Sequence, residues 1–216
     1  HLPQMVDFLE YMIREGKEGF YQGEIGARIA AQQAEQNGLL TRADFENYKV
    51  NESTPLSFDY RCQRVHTAPY PSLGGVLLAN YLASVQTHGK SKSIKRLVQN
   101  ILDINYQVQE FDRHYAADYM SIWKGSISTK GTSHFNILDK WGNAIALTTS
   151  IGEGNGTFIE GTQMQLNNML GELFLLPAGA HSWLANQRLN SMMSPTLVTD
   201  HQGNLRMVLG SGGASR

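Results

Sequence analysis

Residues 131–150 read Gly131-Thr132-Ser133-His134-Phe135-Asn136-Ile137-Leu138, then Asp139-Lys140-Trp141-Gly142-Asn143, then Ala144-Ile145-Ala146-Leu147-Thr148-Thr149-Ser150. Two runs rich in apolar and β-branched residues flank a centre of turn formers, in which Gly142 and Asn143 tolerate positive φ. The pattern predicts a β-hairpin. With Leu138 opposite Ala144, the register continues as Asn136 with Ala146, His134 with Thr148, and Thr132 with Ser150. Opposed residues share one face of a sheet. A threonine at the head of one strand is therefore expected beside a hydroxyl on its partner, with the small residue Gly131 just before it. A lone threonine at a strand start is unremarkable, so its weight comes from the sequence on either side.

The chain has 216 residues, enough for one large domain or a two-layer core. A hydrophobic fraction of 41% and a charged fraction of 17% exclude a disordered polyelectrolyte. A net charge of −1 leaves no electrostatic case for nucleic acid or an anionic membrane surface. No apolar run approaches the roughly 20 residues needed to span a bilayer. The single cysteine, Cys62, excludes an internal disulfide or a cysteine metal cluster and reads as a small core residue in a strand. The seven histidines lack metal-ligand spacing, so neither metal nor cofactor is expected. The chain opens on His1, lacks a leader pattern and stops at Arg216 just after a strand, which reads as an internal piece of a longer protein.

Taken in order, Leu2 to Glu15 has helical spacing through Met5, Phe8, Leu9 and Met12, with Gly16 as a stop. A second helix is expected from about Glu24 to Gln36. Thr41-Arg42-Ala43-Asp44 is a capping-box pattern for a third. From Pro55 to Pro69 the text alternates as strand. Pro69 to Gly75 is a rigid turn into an apolar helix, Val76 to Val85, and its glycines read as a tight turn more readily than as an anion cradle. A long helix follows from about Lys90 to Tyr115, then a polar linker, Asp118 to Lys130. Beyond the central hairpin come a glycine-rich loop (Gly152 to Gly156), a strand (Thr162 to Met169), an irregular loop (Pro177 to Arg188) and a strand from Thr196. A turn at Thr199 to Gly203 then leads into the strand Leu205 to Leu209. Gly210 to Ser215 is a run of backbone N–H donors of nest type. Helices first and consecutive antiparallel strands later indicate an α+β layered fold.

The sequence contains no P-loop and no GxSxG. His134 shares the expected face of Thr132 and is a conceivable base for its hydroxyl. A cut before Thr132 would supply a more economical one. The new α-amine, with a reference pKa of about 7.7–8.0, would sit on the nucleophile's own residue, the threonine-with-terminal-amine form of nucleophilic catalysis.

These residues resemble the γ-glutamyltranspeptidases (glutathione hydrolases), a family of N-terminal-nucleophile hydrolases. Thr132-Ser133-His134-Phe135 with Leu138-Asp139-Lys140-x-Gly142-Asn143-Ala144 is similar to the start of the family's small subunit. Ser191-Met192-Met193-Ser194-Pro195-Thr196 resembles its Ser-Ser-Met-Ser-Pro-Thr motif, and Gly210 to Arg216 its Gly-Ser-Pro-Gly-Gly-Ser-Arg loop. Gly19-Phe20-Tyr21-x-Gly23 and Pro71-Ser72-x-Gly74-Gly75 match two large-subunit signatures.

The resemblance implies an αββα four-layer fold, here incomplete. It also implies a zymogen that cleaves itself between Gly131 and Thr132 into a large and a small subunit that stay paired. Residues 1–131 would be the mostly helical end of the large subunit, and 132–216 the strand-rich catalytic start of the small one. Thr132 would be the nucleophile and Ser150 its hydrogen-bonding neighbour. The Gly213 and Ala214 N–H groups would form the oxyanion hole. Glu172 would hold the substrate's α-amine and Ser191 its α-carboxylate. The implied partners are a small γ-glutamyl compound and water or an acceptor amino acid, with no nucleic acid. The implied location is periplasmic, extracellular or membrane-associated.

Several positions depart from the family pattern. Met192 replaces a second serine, Met169 a glutamine, Gly152 an asparagine, Ala214 a glycine, and Glu172 a shorter aspartate. Several side-chain contacts to a glutamyl head group are thereby absent. The segment between Glu172 and Ser191 is short, which predicts an open cleft. Two alternatives stand beside a γ-glutamyl hydrolase or transpeptidase. One is a related amidase for another acyl group, such as poly-γ-glutamate or a cephalosporin side chain. The other is a relative that never cleaves itself.

Overall fold

The computed structural model describes residues 2–87, 95, 99, 102–103, 131–171 and 182–212. Its elements in chain order are α1 (Pro3–Tyr21), α2 (Glu24–Glu35), α3 (Arg42–Asn47), β1 (Leu56–Tyr60), β2 (Gln63–Thr67) and α4 (Leu73–Thr87). There follow β3 (Thr132–Leu138), β4 (Ala144–Ser150), β5 (Phe158–Ile159), β6 (Met164–Gln165), a 3-10 turn (Met169–Gly171), β7 (Thr196–Thr199) and β8 (Leu205–Leu209). The long helix expected over Lys90 to Tyr115 and the linker after it lie almost wholly outside the described residues. The chain forms two compact units, residues 1–52 with 154–167, and residues 53–153 with 168–216.

The first unit is helical. The stop expected at Gly16 takes the form of a kink: that residue has φ 66° and ψ −159°, and the helix resumes through Tyr21. At α3 the Asp44 carboxylate accepts both the Thr41 backbone N–H and the Thr41 hydroxyl at 2.7 Å. These bonds hold its carboxyl below the ordinary 3.8. The core is Ile25 and Ile29 of α2 with Ile159 of β5, ringed by Phe8, Tyr11, Phe20, Phe45, Met164 and Leu166. Gln32 ties α2 to the β5 backbone, donating to the Phe158 carbonyl at 2.9 Å and accepting from the Glu160 N–H at 3.3 Å.

The second unit is built on an antiparallel sheet of order β1-β2-β7-β8. Its centre is the β2–β7 ladder, Arg64↔Thr199 to Thr67↔Thr196. There Val65 and Val198 are buried, and the buried hydroxyls of Thr67 and Thr196 bond at 2.9 Å. The stretch Leu56 to Thr67 is a hairpin rather than one strand. Its turn is Arg61-Cys62, with φ of 47° and 62°. Cys62 is therefore an exposed turn residue and not a core one, because the two-residue loop leaves it no strand partner. The strand expected over Thr162 to Met169 is also corrected. Only Met164 and Gln165 pair, because Gly161 and Gln163 take positive φ (72° and 54°) before them and Met169 opens a 3-10 turn.

The β3–β4 hairpin has the register read from the sequence at every pair, Thr132↔Ser150 through Leu138↔Ala144. In its turn Gly142 alone takes positive φ, 89°; Asn143 does not. The Asp139 carboxylate organises that turn, accepting the Trp141 N–H at 2.8 Å, the Asn143 N–H at 2.9 Å and the Asn143 side-chain amide at 2.6 Å. The β7–β8 turn repeats the device. Asp200 accepts the Gln202 N–H, the Asn204 N–H and the Asn204 amide, each at 2.9 Å, and Gly203 has φ 87°. Both turns read Asp-x-x-Gly-Asn.

Candidate active site

Period-two alternation puts Thr132, His134 and Asn136 of β3 on one face with Thr148 and Ser150 of β4. The Thr132 and Ser150 hydroxyls lie 2.9 Å apart, and either oxygen has the geometry to donate. The Ser150 oxygen also accepts the Gly152 N–H at 3.0 Å, which fixes its lone-pair direction. Both groups are half-buried.

His134 is fully engaged one pair further along. Its Nδ1 is 2.8 Å from the Thr148 hydroxyl and its Nε2 is 2.8 Å from Asn136 Oδ1. The Asn136 amide nitrogen donates to the Val208 carbonyl at 3.3 Å. The Asn136 oxygen must then accept, so Nε2 carries the proton and Nδ1 accepts from Thr148. Neither ring nitrogen is directed at Thr132, and His134 serves to tie β3 to β4 and β8.

Two backbone segments close on the head of β3. The loop leaving β8 crosses it so tightly that a Cβ on Gly212 would lie 2.7 Å from the Thr132 carbonyl oxygen. That contact requires glycine where the resembled motif has proline. On the other side the chain after β4 bulges. Ile151 N–H donates to the Gly131 carbonyl at 3.0 Å, and Gly131 N–H donates to the Gly152 carbonyl at 2.7 Å, so two residues oppose one. Gly152 has φ 65°. Asparagine also enters that region readily, so glycine here keeps the backbone path while losing a side chain. Asn168 steadies the bulge, donating its N–H to the Ile151 carbonyl at 3.3 Å and accepting the Glu153 N–H at 2.8 Å.

Ser191 is docked elsewhere in the same unit. It forms a parallel bridge with Ser72, its carbonyl accepts the Leu73 N–H at 2.7 Å, and its N–H donates to the Pro71 carbonyl at 3.3 Å. Ser72 also donates its hydroxyl to the Met193 carbonyl. Two motifs about 120 residues apart are thus one structural element. A Cβ on Gly74 would lie 2.1 Å from the Met192 carbonyl oxygen, so that glycine is set by close backbone packing. The Ser191 hydroxyl oxygen accepts the Met193 N–H at 3.0 Å, leaving its proton to donate.

The structure therefore brings together Gly131, Thr132 and Ser150, and docks Ser191 on the turn before α4. Glu172, Gly213 and Ala214 lie outside the described residues, as does most of the segment expected to leave an open cleft. Sequence reading passed over Asn136, Thr148, Ile151, Asn168 and Gly212. Asn136 and Thr148 were within reach of the same alternation, and Ile151 of extending the ladder one step past Ser150. Asn168 and Gly212 act by long-range backbone approach, for which no local pattern exists. Among the described residues no cluster of three or more acidic, histidine or cysteine side chains could hold a metal, and no helix is long and apolar enough to cross a membrane.

The described residues form a mixed helix and sheet fold, an incomplete piece of the N-terminal-nucleophile hydrolase fold. A solved cephalosporin acylase from Bacillus halodurans shares the fold with a TM-score of 0.68 at 20% identity, over 95% of this chain and 43% of that one. The chain belongs to the gamma-glutamyltranspeptidase family, whose model matches residues 1–99 and 80–216. It is similar to the glutathione hydrolase proenzymes of Escherichia coli (strain K12), at 28% identity, and Pseudomonas sp. (strain A14), at 27%. Each match covers 96% of this chain and 44% of the relative. The acylase ACY 1 proenzyme of Pseudomonas sp. (strain V22) is 24% identical over 96% of this chain and 43% of its own. The chain thus spans less than half the length of these relatives.

Proposed function

We propose that this chain is the catalytic segment of a γ-glutamyl hydrolase or transpeptidase, made as a zymogen and matured by cleavage between Gly131 and Thr132. The observation that carries the reading is the 2.9 Å approach of the Thr132 and Ser150 hydroxyls at the head of β3. After cleavage the Thr132 hydroxyl attacks the γ-carbonyl, its proton passing to the new α-amine and from there to the departing amine. The ester on Thr132 is then resolved by water or by an acceptor amino acid. Ser150 orients the nucleophile, and the Gly213 and Ala214 N–H groups receive the oxyanion. Glu172 takes the substrate's α-amine, and the free Ser191 proton donates to its α-carboxylate. The names of the curated relatives, glutathione hydrolase proenzymes, support both the substrate class and the processing. Subunits that remain paired and a periplasmic, extracellular or membrane-associated location belong to the same proposal.

Met192 and Met169, where head-group hydrogen bonds are missing, favour a second reading: the same chemistry on another acyl group. Release of nitroanilide from γ-glutamyl nitroanilide, compared with nitroanilides of other acyl groups, decides between them. The main reading expects two bands on a denaturing gel, one band for Thr132→Ala, and preference for the γ-glutamyl substrate. A wild-type protein that stays whole, or that prefers another acyl group, counts against it.

A further inference from the structure

The bulge after β4 meets the Gly131–Thr132 peptide bond from the β4 side. In a regular ladder Gly131 and Ile151 would exchange two hydrogen bonds. Here Gly131 N–H reaches past Ile151 to the Gly152 carbonyl at 2.7 Å, and only Ile151 N–H returns, donating to the Gly131 carbonyl at 3.0 Å. The Ile151 carbonyl is taken instead by the Asn168 N–H. The Ile151 N–H therefore keeps its place on the carbonyl oxygen of the Gly131–Thr132 bond while the Ile151 carbonyl turns away to Asn168.

We infer that the Ile151 N–H is the oxyanion donor of the self-cleavage step, separate from the Gly213–Ala214 donors that serve substrate turnover. This rests on the processing reading above. In the step, the Thr132 hydroxyl oxygen bonds to the Gly131 carbonyl carbon and the π pair moves onto the Gly131 oxygen, where the Ile151 N–H meets it. The carbon–nitrogen bond then breaks, the hydroxyl proton ends on the Thr132 nitrogen, and Gly131 is left as an ester on Oγ1. Water adds to that ester, the Gly131 carboxyl departs, and Thr132 regains its hydroxyl. The Ile151 N–H already lies 3.0 Å from the ground-state Gly131 oxygen, and the role requires it to keep about 2.7–3.1 Å from the position that oxygen takes once the carbon is tetrahedral. Once Gly131 has been cut free, the Ile151 N–H has no part in turnover. One zymogen thus carries two oxyanion sites used in succession.

The test is an amide-to-ester exchange at residue 151 in the full-length protein, using the α-hydroxy analogue of isoleucine, which deletes the N–H and keeps the side chain. The same exchange at Asp139 is the control, since it deletes the N–H that donates to the Asn143 carbonyl at 3.0 Å at the far end of the hairpin. The expected result is a roughly 10²–10³-fold slower appearance of the Thr-Ser-His amino terminus for the 151 ester, within about twofold of wild type for the 139 ester. Turnover per processed molecule should be equal in all three. A 151 ester that processes at the wild-type rate overturns the inference, and so does equal slowing by both esters, which would mark simple weakening of the hairpin. Failure of the wild-type protein to cleave at all overturns the processing reading and this inference together, and is distinguished by the unaltered chain staying whole.

Discussion

At the scale of single residues, the site depends on short polar contacts whose loss has a direct readout. Ser150→Ala removes the Thr132 contact and leaves the Gly152 N–H without its acceptor. One such bond contributes about 0.5–1.5 kcal/mol net, so cleavage and turnover should each slow by up to about tenfold. Ser150→Thr keeps the hydroxyl and should stay within about threefold of wild type. Timed denaturing gels and nitroanilide release measure both, and a Ser150→Ala protein as fast as wild type would remove Ser150 from the site. Gly212→Ala tests the crossing loop. Its new Cβ meets the Thr132 backbone oxygen at 2.7 Å, and relief of such overpacking typically costs about 1–3 kcal/mol. Turnover should fall while the β7–β8 ladder stays intact by amide exchange. The pairing of Thr132 with Ser150 was legible in the sequence because a hairpin's period of two and its turn fix every partner once one pair is chosen. The close approach at Gly212 was not, because a crossing of two backbones distant in sequence leaves no local trace.

Elements show the same division between local and distant causes. The Asp-x-x-Gly-Asn turns at 139–143 and 200–204 close two hairpins by one device. Hydrogen bonding from Asn143 and Asn204 holds the Asp139 and Asp200 carboxyls below the ordinary 3.8. A carboxyl with a depressed folded-state pKa stabilises the fold above its unfolded value, and that contribution is lost as pH falls through the folded value. Both turns should therefore loosen in acid below about pH 4, and remain unaffected between neutral pH and 5. Asn143→Ala should move the Asp139 titration upward toward 3.8. Carbon NMR of the Asp139 carboxyl reads the shift, and an unmoved midpoint would show that the Asn143 bonds do not set it. The docking of the Ser191 motif on Pro71 to Leu73 is a distant cause. Gly74→Ala drives a Cβ to 2.1 Å from the Met192 carbonyl oxygen and should lower stability by about 1–3 kcal/mol in denaturant titration. The helices α1 to α3, the body of α4 and the strands β7 and β8 were readable from periodicity and caps, but α4 begins at Leu73, so Gly74 and Gly75, read as turn, lie inside its first turn. Cys62 was misread because a two-residue hairpin turn without glycine looks like continuous strand. Thr162 to Met169 was misread because positive φ at Gln163 is not encoded in its side-chain type.

On the scale of the molecule, the proposed cut at Gly131–Thr132 does not follow the compact units. The first unit draws on residues 154–167 from beyond the cut, and the sheet of the second takes β1 and β2 from before it and β7 and β8 from after it. The boundary at 131/132 came from the resembled family's cleavage site, and a cleavage site says nothing about which strands later pair. The consequence concerns how the two pieces behave once cleaved. Their ladder runs Arg64↔Thr199 to Thr67↔Thr196, with Val65 at 3% and Val198 at 5% exposure. A fully buried valine contributes about 1.5–3 kcal/mol, and separation would also strip partners from the ladder's backbone groups. Cleavage should therefore leave one particle under native conditions, with two bands appearing only after denaturation. Val65→Asp puts an unpaired carboxylate in this seam, a cost of several kcal/mol. In a Thr132→Ala background the peptide bond still joins the halves, so that double variant should elute as one species. In the cleavable background the pieces then keep the Ile25, Ile29 and Ile159 core of the first unit but lose the β2–β7 seam, so they should part at a lower denaturant concentration than wild type, as size-exclusion chromatography with mass detection would register. If the cleaved Val65→Asp protein co-elutes as firmly as wild type at every denaturant concentration, the β2–β7 seam adds nothing to the hold of the first unit's core.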